Sequence, residues 1–131
     1  MEQESITEKI IGCAYKVHRT LGPGFLEKIY ENALVIELNQ AGLAVQQQYP
    51  LPVYYAGAKV GEYYADLLVN NQIIVELKAS EQLVKEHEIQ LVNYLAATGL
   101  AFGLLLNFGR SVNVKRKFRH YENPVNPEKS C

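Results

Sequence analysis

Tryptophan is absent from this 131-residue sequence, methionine occurs once, cysteine twice and histidine three times. No apolar run approaches the ~20 residues needed to cross a bilayer, so no membrane partner is expected. The first apolar cluster, Ile10 to Ala14, is short and bracketed by Lys9 and Lys16, which predicts no signal peptide. Cys13 and Cys131 stand far apart without metal-ligand spacing, and Cys13 reads as a small buried thiol. A reducing, cytoplasmic compartment is the expectation. Thirteen Lys and Arg against fourteen Asp and Glu give a net charge of -1, hence no global field to draw in nucleic acid. Phosphate contacts would have to come from local basic patches and would be salt-sensitive. Aspartate is scarcest of all among the acids, since Asp66 is the only one of the fourteen.

What remains suits one globular domain over 1–131, at 48% hydrophobic and 21% charged. Ser5-Ile6-Thr7-Glu8 reads as a capping box, and Ile6, Ile10, Cys13, Val17 and Leu21 follow at helical spacing, predicting a helix over 5–20 that Gly22-Pro23-Gly24 stops. A second helix is predicted over 25–40, with Phe25, Ile29, Ala33 and Ile36 as its apolar stripe and Gly42 as its cap. From Val45 the pattern turns to β-branched and aromatic residues in three runs, 45–55, 59–69 and 72–79, separated by turn signals, an antiparallel meander. A helix over 84–98 capped by Gly99, a buried strand over 101–106, a turn at Asn107 to Arg110 and a last strand over 112–118 complete the reading. The two prolines and polar residues of 122–131 predict a loose tail. The fold class is α/β, an α+β mixed sheet flanked by helices, with the helix before Ala101 as a crossover.

Asp66 lies in Tyr63-Tyr64-Ala65-Asp66-Leu67-Leu68-Val69, a segment otherwise suited to a buried strand, where aspartate is disfavoured. A buried carboxylate must be hydrogen-bonded, paired or metal-bound. Ten residues on, Ile73 to Lys78 repeats the oddity, with Glu76 and Lys78 on one strand face. Register decides whether Asp66 joins them. A two-residue Asn70-Asn71 loop sets Asp66 opposite Val75, whereas a three-residue loop from Asn70 to Gln72 sets it opposite Glu76. In the second register, both carboxylates and the Leu77 carbonyl offer hard oxygen ligands to Mg²⁺ or Mn²⁺, with Lys78 beside the attacking water.

Asp66 followed by Glu76-Leu77-Lys78 resembles the PD-(D/E)XK nuclease signature, without the proline that often precedes the aspartate. The order of elements is similar to that superfamily's restriction-endonuclease-like αβββαβ core, here about 24–118, with an extra N-terminal helix and C-terminal strand. Gly24-Phe25-Leu26-Glu27-Lys28-Ile29-Tyr30 fits the motif of the GxxExxY family within that superfamily, a resemblance covering roughly Ile6 to Phe118. It implies a metal-dependent nuclease acting on nucleic acid, DNA ahead of RNA, with Glu27 as a further ligand or an acceptor behind the ligands. Gln90 and Tyr94, four apart on one helical face, are similar to the Gln-x-x-x-Tyr feature of RecB-like and λ-exonuclease-like nucleases, which implies support of site and substrate.

Basic residues cluster at Lys115-Arg116-Lys117 with Arg119 and His120, and Lys9, Lys16 and Arg19 form a second stripe; either could track phosphates or merely be solvated. Tyr54-Tyr55 and Tyr63-Tyr64 could stack unpaired bases if exposed, but the expectation is that one of each pair packs in the core. His87 ranks behind Gln90. Two other readings stay open: a non-cleaving nucleic-acid-binding or protein-interaction module, and an internal ion-pair network in which Lys78 bonds both carboxylates. A homodimer is compatible with all three.

Overall fold

The computed structural model describes residues 2–119; the loose tail expected over 122–131, with His120 and Cys131, lies outside them. Helix α1 spans Glu2–Leu21 and buries Ile6, Ile10, Ala14 and Val17. It starts a turn earlier than the capping box predicts, so Ser5 lies inside the helix. Glu4 beside the positive end of the helix dipole favours that earlier start.

Helix α2, Glu27–Gln40, turns a different face to the core than the one predicted. Its buried side chains are Tyr30, Glu31, Leu34 and Leu38, while Phe25, just ahead of the helix, and Ile29 and Ile36 on it are exposed, Ile36 by 58%. Both stripes have helical period, so spacing cannot choose between them. Tyr30 decides. Its hydroxyl donates to the Gly22 carbonyl at 2.6 Å and accepts the Phe25 N–H at 3.2 Å, and its ring stacks on Phe108 with centroids 4.7 Å apart. The connection it clamps passes through Gly24 at φ 104, a left-handed value that side chains disfavour. Gly42, at φ 87, follows the C-cap Ala41 and ends α2 as expected.

Five strands form one sheet in the order β1-β2-β3-β4-β5: β1 Val45–Tyr55, β2 Ala58–Val69, β3 Ile73–Lys78, β4 Phe102–Phe108 and β5 Val112–Phe118. Only β3 and β4 are parallel, joined by α3, Lys85–Thr98, which ends at Gly99 with φ 77. The mixed sheet and crossover match the expected architecture. Strand β4 runs on through Phe108, so Asn107 is no turn residue. It is fully buried and clamps the exit of β3, accepting the Ser80 N–H at 3.1 Å and donating to the Ser80 carbonyl at 3.0 Å. A Cβ on Gly109 would lie 2.8 Å from that same carbonyl, which explains a residue without a side chain at this crossing.

One face of the sheet packs Leu67, Val75, Leu77, Leu104 and Leu106 beneath α1 and α2; the other packs Leu68, Ile74 and Leu105 beneath Leu91 and Leu95 of α3. The β2–β3 connection is the three-residue loop Asn70 to Gln72, because Val69 pairs with Ile73 and Leu67 with Val75. Asn70 and Asn71 both take left-handed backbone, φ 52 and 56, which asparagine tolerates better than other residues with side chains. One step outward, this register sets Asp66 opposite Glu76.

The orientation of α2 is open to a simple test. Leu34→Ala should destabilise the protein by about 2–5 kcal/mol, and Ile36→Ala by no more than ~0.5 kcal/mol, measured by urea unfolding. Equal losses would show that Ile36 faces the core.

Candidate active site

The β2–β3 ladder stops at Leu67 and Val75, and the two carboxylates take over where backbone pairing ends. The Asp66 N–H donates to Glu76 Oε2 and the Leu77 N–H donates to Asp66 Oδ2, both at 2.8 Å. Each acid thus satisfies the amide that the parting strands leave open. On β1, Gln48 adopts φ 54 opposite Asp66, and this rung is missing from the β1–β2 ladder. Alternation breaks there too. Val45, Leu67 and Val69 face the α1/α2 side, whereas Tyr49, Leu51 and Ala65, of the same parity, face α3. Beyond Asp66 the β1–β2 hairpin therefore leaves the sheet, opening a notch against β3.

Helix α2 closes one side of the notch. Glu31, 2% exposed, accepts Lys28 Nζ at 3.2 Å, Gln47 Nε2 at 2.9 Å and Gln48 Nε2 at 3.0 Å. Gln48 Nε2 also reaches Asp66 Oδ1 at 3.3 Å, so one amide links the two acids. Neither Glu31 nor Gln48 is singled out by sequence; a buried glutamate one turn from Glu27 is the only trace, and only if the buried face of α2 is known. Glu27 itself is half-buried, within electrostatic reach of Lys78, Asp66 and Glu31.

Three carboxyls here resist ionisation. Burial, then the charge of Asp66, pushes Glu76 from the ordinary 4.5 up to about 8. Burial also raises Asp66, against the Leu77 N–H that stabilises its charge, and raises Glu27, against the opposing charge of Lys78. Lys78 shares the strand face of Glu76, yet no ion pair among the described residues involves it. The ion-pair reading required Lys78 bonded directly to both acids, and that geometry is not found.

From α3, Tyr94 is buried and pushed up to about 12 by burial and then by the charges of Glu76 and Asp66. Gln90, one turn earlier, is half-buried, and no hydrogen bond links it to either acid. His87 is held below its ordinary value by burial and by Lys78, so it faces the lysine end of the site. The basic residues are largely spoken for: Lys117 pairs with Glu88 at 2.9 Å, Arg116 with Glu8 at 3.7 Å, Lys16 with Glu37 at 3.2 Å, and Arg119 bonds the Gly99 carbonyl. Lys115 and Arg19 are exposed.

The donor chemistry suits a hard divalent cation. With one oxygen of each acid held by a backbone N–H, Glu76 Oε1 and Asp66 Oδ1 remain to ligate. The Leu77 carbonyl faces the same strand edge as its N–H, past the last rung, and adds a neutral oxygen. No group of three or more His, Cys, Asp or Glu among the described residues forms a metal-holding set. A cation held by two carboxylates, with water and substrate oxygens completing an octahedron, is the manner of Mg²⁺ rather than of zinc. A cleft of about 670 Å³ lies beyond the end of β3, lined by Leu26, Ser80 and Arg110 among others.

Because folding raises Glu76 from 4.5 to about 8, the folded chain binds that proton more tightly than the unfolded one. Its contribution is complete below 4.5 and declines as pH rises through about 8. Metal-free protein should therefore lose urea stability between these values, and Glu76→Gln should flatten the decline. A parent profile as flat as the variant's would contradict a buried, proton-retaining Glu76.

Among solved structures, SSO0001 is similar with a TM-score of 0.59 and 18% identity, over 70% of this chain and 49% of that one. An alkaline exonuclease from Laribacter hongkongensis, LHK-Exo, gives 0.54 and 14%, over 79% and 61%. LHK-Exo in complex with dAMP gives 0.50 and 12%, over 89% and 82%. The chain thus spans about half of SSO0001 and under two thirds of the second structure, and at these identities the likeness is one of fold. Comparison with curated protein sequences gives no match. Residues 4–120, most of the chain, match the family model of the PD-(D/E)XK nuclease superfamily, so the chain belongs to that superfamily.

Proposed function

We propose that this protein is a divalent-metal-dependent nuclease that hydrolyses phosphodiester bonds of nucleic acid at the notch between β2 and β3. The observation that carries the reading is the crossed pair of backbone bonds to Asp66 and Glu76, which leaves one oxygen of each acid for a cation and holds both rigid. The superfamily as a whole generally uses divalent ions. Mg²⁺ or Mn²⁺ bound here would supply Lewis-acid polarisation of a phosphoryl oxygen and acidify water.

In this reading Asp66, Glu76 and the Leu77 carbonyl hold the ion. Lys78, in no ion pair among the described residues and on the face of Glu76, orients the attacking water and stabilises charge developing on phosphorus. Glu27 reaches toward Lys78 from α2 and accepts from ligand-bound water or from the lysine. Glu31, through Gln48, fixes the free side of Asp66. Tyr94 and Gln90 support the substrate from α3. We infer further that the chain is of the GxxExxY group, a reading supported by Gly24, which takes the left-handed turn, and by Tyr30, which clamps that turn just ahead of the helix carrying Glu27. The LHK-Exo structure holding dAMP makes DNA the first substrate to assay.

Isothermal titration with Mn²⁺ at pH 7 should show binding with release of about one proton, since Glu76 must ionise to ligate. Asp66→Ala should abolish that binding. Lys78→Ala should bind Mn²⁺ and yet cleave DNA about a hundredfold more slowly or worse. Unchanged Mn²⁺ affinity in Asp66→Ala, or full cleavage by Lys78→Ala, would sink the assignment.

A further inference from the structure

The β1–β2 hairpin runs well past the last β2–β3 rung, and from Pro52 to Tyr64 every residue except Val53 is exposed. The expectation that one tyrosine of each pair packs in the core fails here. Tyr54, Tyr55, Tyr63 and Tyr64 are all at least half exposed, Tyr54 by 62% and Tyr63 by 50%. The reason is that the hairpin leaves the sheet at Asp66, so neither of its faces is covered beyond that point by a helix over its full length.

Two features tell what such a surface can hold. Its only cation is Lys59, which pairs with Glu62 at 2.9 Å, so the hairpin has no spare charge with which to follow a phosphate backbone. Its edge strand carries Pro50 and Pro52, which cannot donate to a further strand and so disfavour pairing with another chain. Phenol rings are what it presents. A duplex hides the faces of its bases and offers mainly phosphate, whereas an unpaired strand offers those faces to aromatic rings. Position selects one ring. Tyr63 lies opposite Leu51 on the face turned to α3, and its ring rests 5.4 Å from that of Tyr94, at the mouth of the notch holding Asp66 and Glu76.

We propose that Tyr63, backed by Tyr94, stacks on a base of an unpaired strand entering the notch, so that the site takes single-stranded nucleic acid in preference to duplex. This rests on the nuclease reading for the location of the strand, but its test reads binding and not hydrolysis. Tyr63 is a substrate-positioning residue in this scheme: the ring sets where along the strand the phosphate meets the metal site, and no bond is made or broken by it.

The test is fluorescence anisotropy with the full chain in Ca²⁺, a cation for the same oxygen ligands, the labelled oligonucleotides being checked as intact afterwards. The probes are a short oligothymidine, its duplex with oligodeoxyadenosine, and a chain of equal length and charge with every base removed. The parent should prefer oligothymidine to both the duplex and the abasic chain by about tenfold or more, within the range one base–aromatic stack contributes. Tyr63→Ala should lose that preference while binding the abasic chain as the parent does, and Tyr63→Phe should keep it. A parent that binds the abasic chain or the duplex as tightly as oligothymidine overturns the proposal without recourse to any variant. So does a Tyr63→Ala protein that retains the preference, or a Tyr63→Phe protein that loses it. Oligothymidine binding without dependence on Tyr63 would sink this inference alone; Tyr63-dependent binding without cleavage under any metal would sink the nuclease reading alone.

Discussion

The rest of the site depends on two hydrogen bonds, from the Asp66 amide to Glu76 and from the Leu77 amide to Asp66, each at 2.8 Å. They do the work of a ladder rung, so the sheet can part without leaving buried amides unsatisfied. They also fix both carboxylates by backbone atoms rather than by flexible partners. The Asn70 to Gln72 loop makes them possible, because a loop shorter by one residue would set Asp66 opposite Val75. Two asparagines in left-handed backbone are thus as much a part of the site as the acids are.

Helix α2 joins the site by a separate route. Tyr30 ties the α1–α2 connection to Phe108 and to its own preceding turn, and that sets the rotation of α2 about its axis. Glu27 and Glu31 follow. Glu31 is satisfied by three donors, and Gln48 hands that connection on to Asp66, so a helix and two strands share one polar network around a mainly acidic centre. A network of this kind is stable only when its members are satisfied, and burial first, then the neighbouring carboxylates, raises Glu27, Asp66 and Glu76 together. A divalent cation would reverse the sense of that strain, lowering all three at once.

Much of the fold is legible in the residues because helices and strands differ in period. The element order, the α3 crossover, the Gly42 and Gly99 stops and the two possible registers at Asn70 follow from hydrophobic spacing and turn chemistry. Asp66, Glu76 and Lys78 stand out for a related reason, since charged groups are costly in runs of β-branched and apolar residues. Where local signals are degenerate the reading goes astray. Two apolar stripes on α2 have equal periodicity, and Asn107 looks like a turn residue because its partner, Ser80, is distant in sequence.

By itself the sequence determined which elements form and which charged residues are out of place, because both are matters of short-range pattern and of the cost of burying charge. Tertiary structure alone decided the three-residue loop over the two-residue one, the rotation of α2 by Tyr30, the recruitment of Glu31 and Gln48, and the exposure of the hairpin tyrosines. Each of these turns on contacts between segments far apart in the chain, whose free energy is set by what packs against what. No local spacing carries that information.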